Sequence, residues 1–347
     1  MRIKQLFWIS AGMLFLLGSG CTQQQQQKQC EKQCEKDPVL VIFDTDMGPD
    51  YDDVGSLAML HVFADNGEAK ILATLSSNRY ANSAPCIEII NTYFGRPDLP
   101  IGAPRNVGVD MIDPRYTRTY WPEILPLLYP HKIKKTEDTP DAVSVYRQIL
   151  SAQPDNSVHI ITVGFLTNMA SLLQSQPDEY SDLDGKELVK KKVKLLVSMA
   201  GKFPQGWEFN VCTDAAASII TFEQWPTPVL LSGYEIGDAI LTGKRLIAMC
   251  TTNSPVKDAF AMGMTMDPHG RQSWDQSAVL VGVRGYCDYF NTIKGRIIVA
   301  ENGENRWEDD PNGPHERLDW KMPVEEVTQV IEDLMMQLPK KQGCCKK

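Results

Sequence analysis

Histidine is scarce in this chain, no two cysteines stand in a Cys-x-x-Cys pair, and acidic residues outnumber basic ones. With five His and no such pair, the sequence argues against a zinc centre of the usual spacing. Lys plus Arg total 35 against 44 Asp plus Glu, a formal net charge of −9. The chain therefore has no electrostatic claim on phosphate backbones or anionic lipid, and nucleic acid is excluded as a partner. Its longest uncharged apolar run, Leu6 to Leu17, falls short of the roughly 20 residues that span a bilayer. No internal repeat is present, which excludes a solenoid. What remains is ordinary globular composition, 43% hydrophobic and 23% charged over 347 residues, and one large α/β domain accommodates it.

Residues 1–20 carry Arg2 and Lys4, then the run Leu6 to Leu17, then Gly18, Ser19 and Gly20 before Cys21. That order is a targeting segment. Small residues leading into Cys resemble a bacterial lipoprotein signal, with Cys21 lipidated as the mature N-terminus; an ordinary cleaved secretion signal is the alternative. Both imply export, and the first implies a membrane anchor facing the periplasm or cell surface, with the bilayer met only through the lipid. Loss of Arg2 and Lys4 leaves 33 basic against 44 acidic residues, a net charge of −11. Residues 21–37 read as a polar tether rich in Gln and Lys. Residues 38–340 are expected as one domain and 341–347 as a tail. Cys30 and Cys34 in the tether and Cys344 and Cys345 in the tail could oxidise, with no pairing specified.

From Val39 onward, short apolar runs alternate with stretches of helical period, the pattern of βαβ units around a mostly parallel open sheet flanked by helices. Strands are expected at Val39 to Phe43, Lys70 to Leu75, Val158 to Val163, Val193 to Met199, Thr227 to Leu231 and Arg296 to Ala300. Helices are expected at Val54 to Ala64, Ala84 to Phe94, Ala142 to Ala152, Thr167 to Gln174, Ala215 to Glu223, Gln276 to Val283 and Val324 to Leu338. The stretch Asp110 to Thr139 reads as the longest irregular segment, suited to a lid or an oligomer contact.

The sharpest feature is Asp44-Thr45-Asp46-Met47-Gly48-Pro49-Asp50-Tyr51-Asp52-Asp53, directly after an apolar strand and directly before an expected amphipathic helix. In an open α/β sheet that turn lies at the carboxyl end of a strand, where ligands bind. Five carboxylates in ten residues repel unless positive charge sits among them, and hard oxygen donors in this number suit Ca²⁺ or, less well, Mg²⁺. An EF-hand counted from Asp44 fails, because Gly48, Pro49 and Gly55 stand where it needs an acid or amide, a Gly and a Glu. A DxD phosphatase using Mg²⁺ is a weaker alternative, since Thr242 follows Gly237-Asp238 where its second acidic motif would need an Asp. Ser77, Asn78, Gly164 and Gly201 follow other expected strands and converge on the same edge. Glu208 and Asn210 straddle one residue and share a face if extended. Asp275 stands at a helix start, where it could be a ligand or only a cap.

Taken together, these residues resemble the inosine-uridine-preferring nucleoside hydrolases. The likeness rests on Asp44 to Asp53, Ser77-Asn78, and Asn91 with Gly95-Arg96-Pro97-Asp98-Leu99-Pro100-Ile101. It continues through Gly164-Phe165-Leu166-Thr167-Asn168, Trp207-Glu208-Phe209-Asn210 with Asp214 and Ala215, and Trp274-Asp275. It implies the nucleoside hydrolase (Rossmann-like) fold and calcium-dependent hydrolysis of the N-glycosidic bond of ribonucleosides or related ribosides, the chemistry of purine and pyrimidine salvage. By position, the resemblance implies Asp46, Asp53, the Val163 carbonyl and Asp275 as Ca²⁺ ligands. It implies Asp52, Asn78, Glu208 and Asn210 as ribose contacts, Asp46 as general base, and a homodimer or homotetramer.

Two departures stand out. Pro49 to Tyr51 lengthen the link between Gly48 and Asp52 by two residues, adding Asp50, and Trp274 stands where well-known members carry the His that protonates the leaving base. His269 is then the histidine considered as a replacement acid, while His61 and His159 read as packed structural side chains. Trp207 and Trp274 could stack on a flat aglycone or fill a core. The other reading of the same shell is a non-catalytic, calcium-dependent nucleoside- or sugar-binding surface lipoprotein.

Overall fold

Val41 to Thr45 are all buried, which puts this apolar run inside a sheet with a neighbour on each side. The computed structural model describes residues 37–112 and 120–340. The expected signal, Cys21, the tether up to residue 36, Cys30, Cys34, Cys344, Cys345 and the tail lie outside the described residues. In chain order the strands are β1 (Val39–Thr45), β2 (Ala69–Ser76), β3 (Ile101–Gly102), β4 (Val158–Thr162), β5 (Val193–Met199) and β6 (Gln205–Gly206). There follow β7 (Val229–Ser232), β8 (Leu241–Thr242), β9 (Arg271–Gln272), β10 (Phe290–Val299), β11 (Asn305–Asp309) and β12 (His315–Trp320).

The large sheet runs β3-β2-β1-β4-β5-β7-β12-β10-β11-β6. Pairing is parallel from β3 through β12 and antiparallel from β12 through β6. The chain moves outward from β1 to β2 and β3, then returns to place β4 on the other side of β1. This reversal is a topological switch point, and the crevice beyond the carboxyl ends of β1 and β4 is where such a sheet binds ligands. The expected fold class, a mostly parallel open sheet flanked by helices, is the one observed.

The helices are α1 (Asp52–Asp65), α2 (Ser83–Tyr93), α3 (Trp121–Leu128), α4 (Ala142–Ser151), α5 (Thr167–Gln174), α6 (Gly185–Lys192) and α7 (Phe209–Thr213). They continue with α8 (Ala215–Gln224), α9 (Tyr234–Ala239), α10 (Lys244–Ala248), α11 (Pro255–Gly263), α12 (Trp274–Arg284) and α13 (Val324–Met335). α5 and β5 match the sequence expectation at both ends. α1 differs in kind: Asp52 to Phe63 are buried without interruption, because α11, α12 and α13 pack on it from outside the sheet. A helix covered on all sides has no polar stripe to show. Within Asp110 to Thr139, the described residues 120–139 are less irregular than expected, since they hold α3 and a 3₁₀ turn at Thr136–Asp138. Prolines at 122 and 126 masked the helix; the first sits in the opening turn, where a missing N–H costs nothing.

Two cores flank the sheet, one around Phe43, Leu57 and Phe260 beneath α1 and α12, the other around Ile42, Leu172 and Leu196 beneath α4, α5 and α8. Cys86, Cys212 and Cys250 are free thiols and Cys287 is disulfide-bonded. No helix among the described residues is long and apolar enough to cross a membrane.

Candidate active site

Leaving β1, the acidic turn is held from several sides. Thr45 Oγ1 accepts from the Met47 amide at 3.1 Å and donates to Asp53 Oδ1. Ser83 Oγ donates to the Met47 carbonyl at 2.6 Å, and the Tyr120 hydroxyl donates to the Gly48 carbonyl. Gly164, directly after β4 and Val163, is required by a close approach: a Cβ there would lie 2.4 Å from the Asp46 amide nitrogen. Glycine lets the ends of β1 and β4 meet. One layer below, Asp44 accepts from Tyr146 and from Asn168, both at 2.9 Å, and burial still pushes its carboxyl up to about 7. The Asn168 of the Gly164 to Asn168 segment thus serves the floor of the site.

A cavity of about 480 Å³ opens over this edge, lined among others by Asp46, Asp50, Asp52, Val163, Glu208, Asn210, Arg271, Trp274 and Asp275. Its size lies in the range of small-molecule sites. Glu208 is the cap of α7: Oε1 accepts from the Asn210 amide at 2.8 Å, and Oε2 from the amides of Val211 at 3.1 Å and Gly201 at 3.2 Å. The extended pair expected from the sequence is therefore corrected, because only Glu208 is extended and Asn210 already belongs to α7. Both reach the cavity because the cap turns the chain between them. Asn210 Nδ2 donates to the carbonyls of Val163 at 3.1 Å and Met199 at 3.2 Å, holding the ends of β4 and β5 together. Asp275 is not a cap; Ser273 holds that position, and Asp275 lies in the first turn of α12 with its amide 3.5 Å from Asp52 Oδ2.

The charges are unevenly shared. Burial, then the charges of Asp50 and Asp52, pushes Asp46 well above the usual carboxylate range. Burial and the surrounding carboxylates do the same to Asp53 and Asp275. One oxygen of Asp53 is buried without a hydrogen-bond partner. Burial pushes Glu208 up to about 7 against the pull of its three amides. Asp50 is the exception: burial is the strongest influence and raises it, but the Arg271 charge together with hydrogen bonds from Asp52, Arg271 and Asp53 holds its carboxyl below the usual range. Asp50, Asp52 and Asp53 bring carboxylate oxygens within 4.8 Å of one another, so this acidic cluster can hold a metal ion.

Arg271 is the functional residue that the sequence did not disclose. It is buried, with Nη2 2.5 Å from Asp50 Oδ2 and 2.6 Å from Asp52 Oδ1, and Nε 3.0 Å from the same Asp52 oxygen. Its guanidinium lies 5.1 Å from the Tyr51 ring centroid and 5.0 Å from that of Trp274. The available signal was the extra Asp50, which demands a countercharge, and an Arg three positions before Trp274.

The other expected residues divide. Asp53 lies under the cavity, fixed by Thr45. Asn78 is not among the lining residues; its Nδ2 donates to the carbonyls of Asp46 at 3.1 Å and Met111 at 2.8 Å, and its Oδ1 accepts from the amides of Tyr80 and Met111, both at 3.0 Å. Those four bonds use the whole capacity of the amide, so Asn78 ties the acidic turn to a loop rather than meeting a ligand. His269 is exposed and is not among the lining residues, although Asp267 and Arg271 on either side of it are. His61 and His159 are packed as expected, His61 against Asn91 at 2.8 Å and His159 against the Gly282 carbonyl at 2.8 Å. Trp207, 57% exposed, stands at the cavity with Phe209 rather than in a core. Trp274 forms a wall with Tyr234, ring centroids 5.4 Å apart.

Residues 41–312 match the family model described as inosine-uridine preferring nucleoside hydrolase. No curated protein matches the chain. Among solved structures, the fold is similar to a plant nucleoside hydrolase at 18% identity, TM-score 0.64, covering 86% of this chain and 99% of that one. It is similar to an inosine-uridine preferring nucleoside hydrolase from Bacillus anthracis at 16% identity, TM-score 0.65, with 86% and 99% covered. A type III effector protein, XopQ, complexed with adenosine diphosphate ribose, aligns at 13% identity, TM-score 0.63, with 91% and 98% covered. At these identities the structures share the fold, and the family match spans most of this chain. The protein belongs to the inosine-uridine preferring nucleoside hydrolase family, whose members are N-ribosyl hydrolases.

Proposed function

We propose that the protein hydrolyses the N-glycosidic bond of ribonucleosides or related ribosides in a calcium-dependent reaction. The observation that carries this reading is the meeting of Asp46, Glu208, Asn210 and Asp275, from three separate segments, on one cavity at the switch point of the sheet. The donor set fits Ca²⁺: Asp46, Asp53 and Asp275 offer carboxylates, Val163 a carbonyl, and one buried oxygen of Asp53 has no hydrogen-bond partner. When bound, Ca²⁺ supplies a hard Lewis acid for oxygen ligands, a ribose cis-diol among them.

The chain's own groups then have separate tasks. The Asp46 carboxylate accepts the proton of the attacking water as general base. Asp52, steadied by Arg271, and the pair Glu208 and Asn210 bind ribose hydroxyls and fix the anomeric carbon over Asp46. Positive charge developing on an oxocarbenium-like ring is stabilised by the acidic cavity. Trp274, Tyr234, Trp207 and Phe209 present flat faces to an aromatic aglycone. No histidine among the described residues lines the cavity, so His269 supplies no proton in this reading and substrates with good leaving groups are favoured.

The test is sugar release by the purified protein, with Ca²⁺ or chelator, from natural nucleosides and from p-nitrophenyl riboside, whose leaving group needs little protonation. Calcium-dependent cleavage lost in Asp46→Ala supports the hydrolase. The lack of a cavity histidine also favours a second reading, a calcium-dependent nucleoside- or sugar-binding protein; ribose binding without cleavage of any substrate would move the assignment there. Residues 1–20 as a lipoprotein signal, Cys21 as the lipidated N-terminus, export, and a homodimer or homotetramer complete the proposal. Mass spectrometry of the mature N-terminus and light scattering check them.

A further inference from the structure

Two carboxylates of the acidic turn, Asp50 and Asp52, already face a cation that the chain itself supplies, the Arg271 guanidinium. Asp50 enters through the two-residue lengthening at Pro49 to Tyr51, and its carboxylate lies 2.5 Å from Arg271 Nη2. The same nitrogen is 2.6 Å from Asp52 Oδ1. Arg271 itself is fixed on three sides. Its backbone belongs to β9, paired with Thr242 of β8; its guanidinium lies over the Tyr51 and Trp274 rings; and Asp267 stands 3.9 Å from its Nη1. Tyr51 is anchored in turn by its hydroxyl on Asp267 Oδ2 at 2.7 Å.

The lengthened turn and Arg271 are therefore complementary parts of one device, brought together across 219 positions of sequence. We infer that Arg271 is a positioning residue that divides the acidic site: of the Asp50, Asp52 and Asp53 cluster it takes the first two as its own partners, and it leaves Asp53, with Asp46 and Asp275, to the cation. The inference rests on the calcium reading for its second half alone. A planar fork with fixed donors holds two carboxylates in set directions, which a hydrated point charge would not do. Asp52 Oδ1 is then held by Arg271 while Oδ2 stays beside the Asp275 amide at 3.5 Å, and Asp50 is kept from competing for the ion.

The experiment is Ca²⁺ titration of the full chain by melting temperature and calorimetry, comparing the unaltered protein with Arg271→Met, Asp50→Asn and Asp53→Asn. Releasing two carboxylates beside a divalent ion is expected to tighten the apparent Ca²⁺ affinity of Arg271→Met by about tenfold, since charge pairs at a few ångströms in a buried site interact strongly. Asp50→Asn is expected to weaken binding by less than about tenfold and Asp53→Asn by more than about a hundredfold, as loss of a screened charge and loss of a ligand respectively. Unchanged affinity in folded Arg271→Met, or equally large losses at positions 50 and 53, overturns the division. Should Arg271→Met fail to fold with and without Ca²⁺, the comparison of positions 50 and 53 decides alone. If the unaltered protein ignores Ca²⁺ and Arg271→Met acquires a response, the calcium reading fails and the division stands; if no variant responds, both fail.

Discussion

The indole Nε1 of Trp274 donates to the Tyr234 carbonyl at 2.9 Å, so the side chain beside Asp275 offers the cavity a ring face and no spare proton. A base leaving from ribose must then depart without a histidine acid, and general acid catalysis of this kind is worth roughly 10²–10⁴-fold.

Leaving-group dependence should be steep as a result. Trp274→His is expected to raise kcat/KM on inosine by about a hundredfold relative to p-nitrophenyl riboside. The measurement is the ratio of the two substrates in each protein. A ratio that stays fixed would mean that protonation is not what Trp274 withholds.

Metal removal should be felt in stability as well as in turnover. Asp46, Asp53 and Asp275 are buried and pushed up by burial and mutual repulsion, so neutralising them favours the fold. Ca²⁺ at about a hundred times its Kd stabilises by about 3 kcal/mol, read as a rise in melting temperature over the chelated protein. Asp53→Ala is expected to erase that rise. A full rise in the variant would sink the ligand assignment.

Asn78 separates a structural from a ribose-binding role. Its four bonds go to backbone groups, and stranding buried partners costs about 1–3 kcal/mol each before relaxation. Asn78→Ala is expected to lose about 2–4 kcal/mol in denaturant unfolding while KM for the riboside changes by less than about threefold. Unchanged stability with a much higher KM would restore the residue to the ribose.

Acid sensitivity has an identifiable contributor in His61. Its ring is buried, Nε2–H donates to Asn91 Oδ1 and Nδ1 accepts from Arg96. Burial pulls its pKa down from 6.5 to about 3. The unfolded chain therefore binds the proton first, and stability is lost as pH falls below about 6.5, reaching roughly 3 kcal/mol by pH 4. His61→Gln is expected to flatten this part of the pH profile of unfolding. A profile of the same slope would show that other groups dominate the acid limb.

How far the sequence reached is best seen by element. β1, β2, β4, β5 and β7 stood out because central parallel strands are continuous apolar runs. β12, His-Glu-Arg-Leu-Asp-Trp, did not; its alternation is broken by charges, yet it closes the parallel part against β7 and opens the antiparallel part against β10. α6, with Lys190, Lys191 and Lys192 in its last turn, was hidden because only Leu188 and Val189 carry its apolar contact. The acidic turn, Glu208, Asn210 and Asp275 were legible because residue type and position after a strand or before a helix carry their meaning locally.

By itself, the sequence determined the alternation of strands and helices, the placing of the acidic turn beyond β1, and the family to which those residues point. Tertiary structure alone decided what each polar group is used for. Asn78 is spent on backbone, His269 lies outside the cavity, Trp274 gives its N–H to Tyr234, and Arg271 claims Asp50 and Asp52. The physical reason is that a hydrogen bond or ion pair is settled by direction and distance within a few ångströms. Partners as far apart in the chain as Asp52 and Arg271 are brought into that range only when the sheet and its helices have closed around them.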